Sequence, residues 1–272
     1  MERVVCVKTV PFDVAEKTDP LFAIQRLLKY DPEAIKAVHR SYLESSADII
    51  ISSSYQASLP GFVAEGFSER EAKELMRKST ILALEARSEF LESPAGKRRQ
   101  SSGRPNPLVG ISLGSYGAFR CDGSEGTGQY DDADNDAIYS YHLSRLEILD
   151  DAALRNPEHG PNLLIFETIP TLREARIIST LLTDHPNLFP NIPAWISSRG
   201  KEDGLTGHGE PISDCVDAVL RNARVVGVGV NCTHPKFVSA LLIAAKEKMV
   251  EMGLWGGKVL FAYPNSGETW DE

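Results

Sequence analysis

The residues best suited to chemistry stand at the ends of short apolar runs. Residues 225–230 are valine and glycine only, and the run stops at Asn231 and Cys232, an amide and a soft thiol, before Pro235 opens the next helix. Glu167 likewise follows the four apolar residues Leu163, Leu164, Ile165 and Phe166. A carboxylate in that position is costly unless it meets a cation or hydrogen-bond donors, and a substrate ammonium would serve. Cys232 is a soft donor of the kind zinc prefers, although one thiolate is not a site and a packed core cysteine is the competing assignment. Other runs end in Tyr55 and Gln56, Ser115 and Tyr116, Ser197 and Ser198, and Tyr263, Asn265 and Ser266. Polar residues belong at any strand end; several converging on one cavity suggest a site.

These tips need strands and helices to hold them. Apolar runs near Asp48, Leu108, Asn162, Pro193, Val225 and Lys258 predict six strands. Helical spacing joins Ile35, Val38, Tyr42 and Leu43 behind Asp31 and Pro32, and Ser68 with Glu71 forms a capping box before a long helix. Ile138, Tyr141, Arg145 and Leu149 suggest another helix, Thr171 with Glu174 caps the next, and Ile212, Cys215, Val216 and Val219 fit a buried face with Cys215 in the core. The last helix turns Phe237, Leu241, Ala245 and Met249 inward, with His234 as its entry residue. Val4 to Val10 is a possible first strand, the stretch from Pro11 to Pro20 is irregular, and Cys121 to Asp136 is an excursion over the top of the fold. The four later strands recur about every thirty residues, the step of one βα unit, so the sheet is parallel and the candidates are an eightfold barrel or an open doubly wound sheet. A dinucleotide fold fails, because Gly227 and Gly229 lie inside a strand rather than in the turn after it.

Composition narrows the function. The 272 residues suit one α/β domain, and no apolar run approaches the ~18 residues of a membrane span. The N-terminus carries no secretory pattern, which points to the cytoplasm. A net charge of -9 argues against nucleic acid. The basic cluster Lys97, Arg98, Arg99 and Arg104 reads as a solvated loop, and Gly207-His-Gly-Glu210 as a surface turn. Cys6, Cys121, Cys215 and Cys232 form no C-x-x-C pair, as expected of reduced thiols.

The blocks from Ala47 to Phe62, Phe166-Glu-Thr-Ile-Pro170, Gly229-Val-Asn-Cys-Thr233 and Ala262-Tyr-Pro-Asn-Ser-Gly-Glu268 resemble the homocysteine S-methyltransferases, in the right order over about residues 20 to 272. The branch they are most similar to uses S-methylmethionine or S-adenosylmethionine as methyl donor and makes methionine. The resemblance implies a (β/α)8 TIM-type barrel, one homocysteine-binding domain over residues 1–272, in which three cysteine thiolates hold zinc and zinc holds the homocysteine sulfur. Carried over by motif, Cys232 is a zinc ligand, Glu167 holds the homocysteine ammonium, and Asn231, Asn265 and Ser266 line the amino-acid pocket. Tyr55 lies near the sulfur and the donor. Glu167 and Tyr55 are thus the catalytic candidates, and homocysteine and a sulfonium donor the expected partners.

The family's first strand carries Asp-Gly-Gly, and here Val4 to Pro11 has no such motif. Its last strand carries Gly-Gly-Cys-Cys with two zinc ligands, and that pattern does not occur in this sequence. The expectation is an incomplete barrel, with strands two to seven recognisable, the first degenerate and the eighth absent, and with the edges of strands two and seven exposed. A chain with one of three zinc ligands is expected to be inactive alone. The alternative is a non-catalytic relative that binds an amino acid or a partner subunit without zinc.

Overall fold

Strand and helix alternate along the chain as the apolar runs predict, and the computed structural model describes residues 4–6, 26–151, 154–156 and 159–267. The strands are β1 (Val4–Cys6), β2 (Ile49–Ile51), β3 (Leu108–Gly114), β4 (Leu163–Ile169), β5 (Ala194–Arg199), β6 (Val225–Asn231) and β7 (Val259–Tyr263). The helices are α1 (Pro32–Glu44), α2 (Leu59–Ala64), α3 (Glu69–Glu92), α4 (Pro94–Ser101), α5 (Tyr116–Arg120), α6 (Ser124–Thr127), α7 (Asn135–Leu149), α8 (Leu172–Asp184), α9 (Ile212–Leu220) and α10 (Pro235–Glu251). The irregular stretch expected from Pro11 to Pro20 lies outside the described residues.

The chain divides into two compact units, Met1–Thr9 with Gly114–Leu143 and Ile165–Glu272, and Val10–Leu113 with Ser144–Leu164. In the second of these, β2 pairs in parallel with β3, Ile50 opposite Val109. Helices α1 and α3 pack beside them around Leu43, Ile50, Ala83, Phe90 and Val109. Their starts follow from local chemistry. Asp31 accepts from the Ala34 amide with Pro32 just inside the helix, and Ser68 and Glu71 exchange both bonds of a capping box. The basic cluster is a correction to the sequence reading. Residues 94–101 form α4 rather than a loop, and Arg99 is buried, donating to Asp48 Oδ1 at 2.5 Å and to the carbonyl of Pro105. Ser93 caps that helix by accepting from the Gly96 amide, and Pro94 starts it.

In the other unit the strand order is β1-β7-β6-β5-β4. The pairs β1 with β7, β7 with β6, and β6 with β5 are parallel. The glycines of β6 are there because β7 lies too close for a side chain. A Cβ on Gly229 would stand 2.2 Å from the carbonyl oxygen of Phe261, and one on Gly227 2.5 Å from that of Val259. Over them Phe261 stacks on Trp195, ring centroids 4.3 Å apart. Helices α9 and α10 close the outside around Ile212, Val230, Leu241 and Ala262. The expectation of an exposed β7 edge is overturned. Three backbone residues of β1 pair there, Val4 with Leu260, Val5 with Phe261 and Cys6 with Ala262. An open strand edge is a template for pairing, and β1 takes that place beside β7.

Candidate active site

The tips of β4, β5, β6 and β7 converge on Asn231. Its side-chain oxygen accepts from the Thr168 amide at 2.8 Å and from Ser197 Oγ at 2.7 Å. Its amide nitrogen donates to Thr168 Oγ1 at 2.7 Å and to Cys232 Sγ at 3.3 Å. With donors on one side and acceptors on the other, only one orientation of the amide fits. Ser197 Oγ also meets the Tyr263 hydroxyl at 2.6 Å. Register explains the meeting: Asn231 lies opposite Arg199 on β5 and Tyr263 on β7.

The backbone at this junction is strained. Thr168 has φ 61° and Cys232 has φ 46°, left-handed values that L-residues avoid and that a β-branched residue adopts only when its surroundings insist. Here the insistence is the Asn231 amide, which holds both the N–H and the hydroxyl of Thr168. The result turns the end of β4 beside Glu167, which is 7 % exposed.

The electrostatics disfavour a free thiolate. Desolvation, first, and the charges of Glu167 and Glu125 raise the Cys232 thiol pKa, against hydrogen bonds with Thr168 and Asn231. Cys232 is nevertheless exposed. Burial, with the Glu167 charge next, pushes the Tyr263 phenol well above its ordinary value, so it stays a neutral hydrogen-bonding group.

Of the remaining expected residues, Asn265 is tied by its amide to the Thr233 carbonyl at 3.1 Å, and Thr233 Oγ1 in turn donates to the carbonyl of Asn231. Asn265 and Ser266 are both exposed and follow β7 directly. Tyr55 belongs to the other unit, half-buried after β2, where the buried Arg145 donates to the carbonyls of Ser54 at 2.7 Å and Tyr55 at 2.9 Å. Sequence reasoning placed Arg145 on a helix face without seeing that duty.

It also missed two features of the excursion between β3 and α7. Glu174, expected as a helix cap, is fully buried: its oxygens accept from the Tyr116 amide at 2.6 Å and from the Tyr130 hydroxyl, and Oε1 lies 2.7 Å from His142 Nε2. The excursion is thereby fastened to the start of α8. Glu125, on α6, is the second carboxylate acting on Cys232. The only sequence signal was its glycine-rich setting, Gly123-Ser-Glu-Gly126.

Among the described residues no group of three or more His, Cys, Asp or Glu side chains is placed to hold a metal ion. The expected zinc ligand Cys232 stands as a single soft donor with a raised pKa, and such a donor set does not fit a zinc centre. His234, by contrast, is the helix-entry residue it was expected to be, its Nδ1 accepting from the Lys236 amide.

Comparison with known proteins shows the family of the chain. The family model described as homocysteine S-methyltransferase matches residues 10–272. Homocysteine S-methyltransferase 4 of Zea mays is 41% identical over 240 residues, which are 88% of this chain and 65% of that protein. Homocysteine S-methyltransferase 1 of Arabidopsis thaliana is 39% identical over 254 residues, 93% of this chain and 72% of the relative. The crystal structure of the homocysteine methyltransferase MmuM from Escherichia coli, metallated form, superposes with a TM-score of 0.76 at 26% identity, covering 97% of this chain and 92% of that one. The fold is α/β, of the TIM-type barrel class and incomplete, with no eighth strand among the described residues. The chain belongs to the homocysteine S-methyltransferase family.

Proposed function

We propose that the protein acts on homocysteine as a methyl acceptor, with a sulfonium compound, S-methylmethionine or S-adenosylmethionine, as donor and methionine as product. The observation that carries this is the buried Glu167 beside the Asn231 clamp and Cys232. In this reading residues 1–272 are one homocysteine-binding domain. Glu167 holds the substrate ammonium, which repays the burial of its charge. Asn231, Asn265 and Ser266 line the amino-acid pocket, and the family motif assigns Tyr55 a part near the sulfur and the donor. The transfer itself is one displacement. The homocysteine thiol gives its proton to water, its sulfur lone pair forms the new S–CH3 bond, and the pair of the broken C–S bond stays on the donor sulfur, which becomes a neutral thioether.

In the family resemblance zinc activates the homocysteine thiol, with Cys232 among its ligands. The described residues supply one such donor, so activation by zinc needs further ligands from outside them, and no step is assigned to the metal. That same mismatch favours a second reading, a relative that binds the amino acid without turnover.

Elemental analysis of the purified protein and of Cys232→Ala separates the two. About one zinc per chain, lost in the variant and accompanied by methionine formation from homocysteine and S-methylmethionine, supports the enzyme. Homocysteine binding without zinc or turnover supports the binding protein. Folded protein that binds no homocysteine refutes both.

A further inference from the structure

We propose that a groove lined by α7 and α8 binds a free zwitterionic amino acid, through residues other than those of the strand tips. The groove holds about 520 Å³ and also reaches Glu210, in the Gly207-His-Gly-Glu210 turn. All of its walls belong to one compact unit. Arg173 and Arg176 stand on α8, three residues apart and so on one helix face, with Ile177 beside them. Arg173 is held in place. Its Nε donates to Asn135 Oδ1 at 2.7 Å and its Nη2 to the carbonyl of Ala133 at 2.6 Å, which leaves Nη1 unengaged. Glu210 is likewise anchored, accepting from Thr206 Oγ1 at 2.5 Å and lying 3.0 Å from His208 Nδ1. Arg176 and Asp136 are exposed, and neither has a hydrogen-bond or ion-pair partner among the described residues.

Two cations and two carboxylates thus line one cavity, yet no ion pair joins either arginine to either acid. That balance chooses the ligand. A simple anion meets the repulsion of Asp136 and Glu210, and a simple cation that of the arginines. A molecule carrying both signs satisfies both sets at once. In an α-amino acid the carboxylate faces Arg176 and Arg173 Nη1, and the ammonium faces Asp136. Leu172 and the buried Ile177 supply an apolar floor for its side chain.

The test is titration calorimetry of the full 272-residue protein with L-methionine, on the native and the Glu167→Gln backgrounds, with circular dichroism melts of each variant. Methionine should still bind Glu167→Gln, and adding Arg176→Ala or Asp136→Ala should weaken that binding at least about tenfold, as loss of a charged hydrogen-bond partner does. L-methionine methyl ester, without the carboxylate, and 4-(methylthio)butanoate, without the ammonium, should each bind at least about tenfold more weakly than methionine for the same reason. On the native background Arg176→Ala should remove one class of methionine site and keep the Glu167-dependent class. No methionine binding in folded Glu167→Gln overturns the proposal, as does binding there that persists in Arg176→Ala. Butanoate binding as tight as that of methionine also overturns it, because that marks a plain anion site. Methionine binding that ignores Glu167→Gln but is lost in Arg176→Ala refutes the function proposed for Glu167 and leaves the groove standing.

Discussion

Asn231 makes four hydrogen bonds with one amide, and its removal leaves the buried Thr168 N–H without an acceptor. Asn231→Ala should therefore cost about 3 kcal/mol, at the high end for a single hydrogen-bonding residue, because an unsatisfied buried donor is added to the lost bonds. Urea unfolding of the variant checks this, and a loss below about 1 kcal/mol would show that the Thr168 backbone relaxes once released. At this scale much of the site was legible. A polar pair after an unbroken apolar run marks a strand tip, and Glu167, Asn231 and Cys232 are brought together in one unit. Glu174 was legible only as part of a helix cap, because its buried partners Tyr130 and His142 lie far along the sequence and only the fold joins them.

Among the elements, β6 tolerates least. Its two glycines are compelled by close approach of the β7 backbone rather than by an unusual φ, so alanine introduces a clash that neither strand can avoid without breaking the ladder. Gly229→Ala should destabilise by about 3 kcal/mol or leave the protein insoluble, whereas Gly66→Ala, in an open turn at φ 85°, should cost only about 1 kcal/mol. Thermal melts of the pair distinguish a packing clash from a general cost of losing glycine. Helices that join a side-chain cap to apolar periodicity were readable from sequence, as at Asp31 and Ser68. Helix α4 was not, since its Lys, Arg and Ser residues give little apolar periodicity, and what fixes it is the long-range pairing of Arg99 with Asp48.

For the whole molecule, acid stability should depend on a histidine far from the site in sequence. His39, on α1, is 6 % exposed, and burial lowers its pKa from 6.5 to about 4. Its folded pKa lies below its unfolded value, so the neutral ring contributes stability above pH 6.5 that is lost as pH falls through 4. Unfolding free energy at pH 4.5 should be about 2 kcal/mol below that at pH 7 from this group alone, using about 1.4 kcal/mol per pKa unit. His39→Leu should remove that part of the slope, and an unchanged slope in urea titrations would assign acid sensitivity elsewhere. Cys215 acts at the other end of the scale. Burial, with the charges of Glu210 and Asp214, pushes its thiol up to about 12, so its contribution is held below pH 9 and lost as pH rises toward 12.

The pairing of β1 with β7 joins the first described strand to the last. A ribosome makes Val4 long before Leu260, so throughout synthesis the early segment has no place to dock. Closing so long a loop is entropically expensive, and the reward of three residue pairs is small. Partner and slot become available together only after every intervening βα unit has been translated, which makes this junction a late event in assembly. Until then both the nascent segment and the waiting strand edge are targets for chaperones and for neighbouring chains.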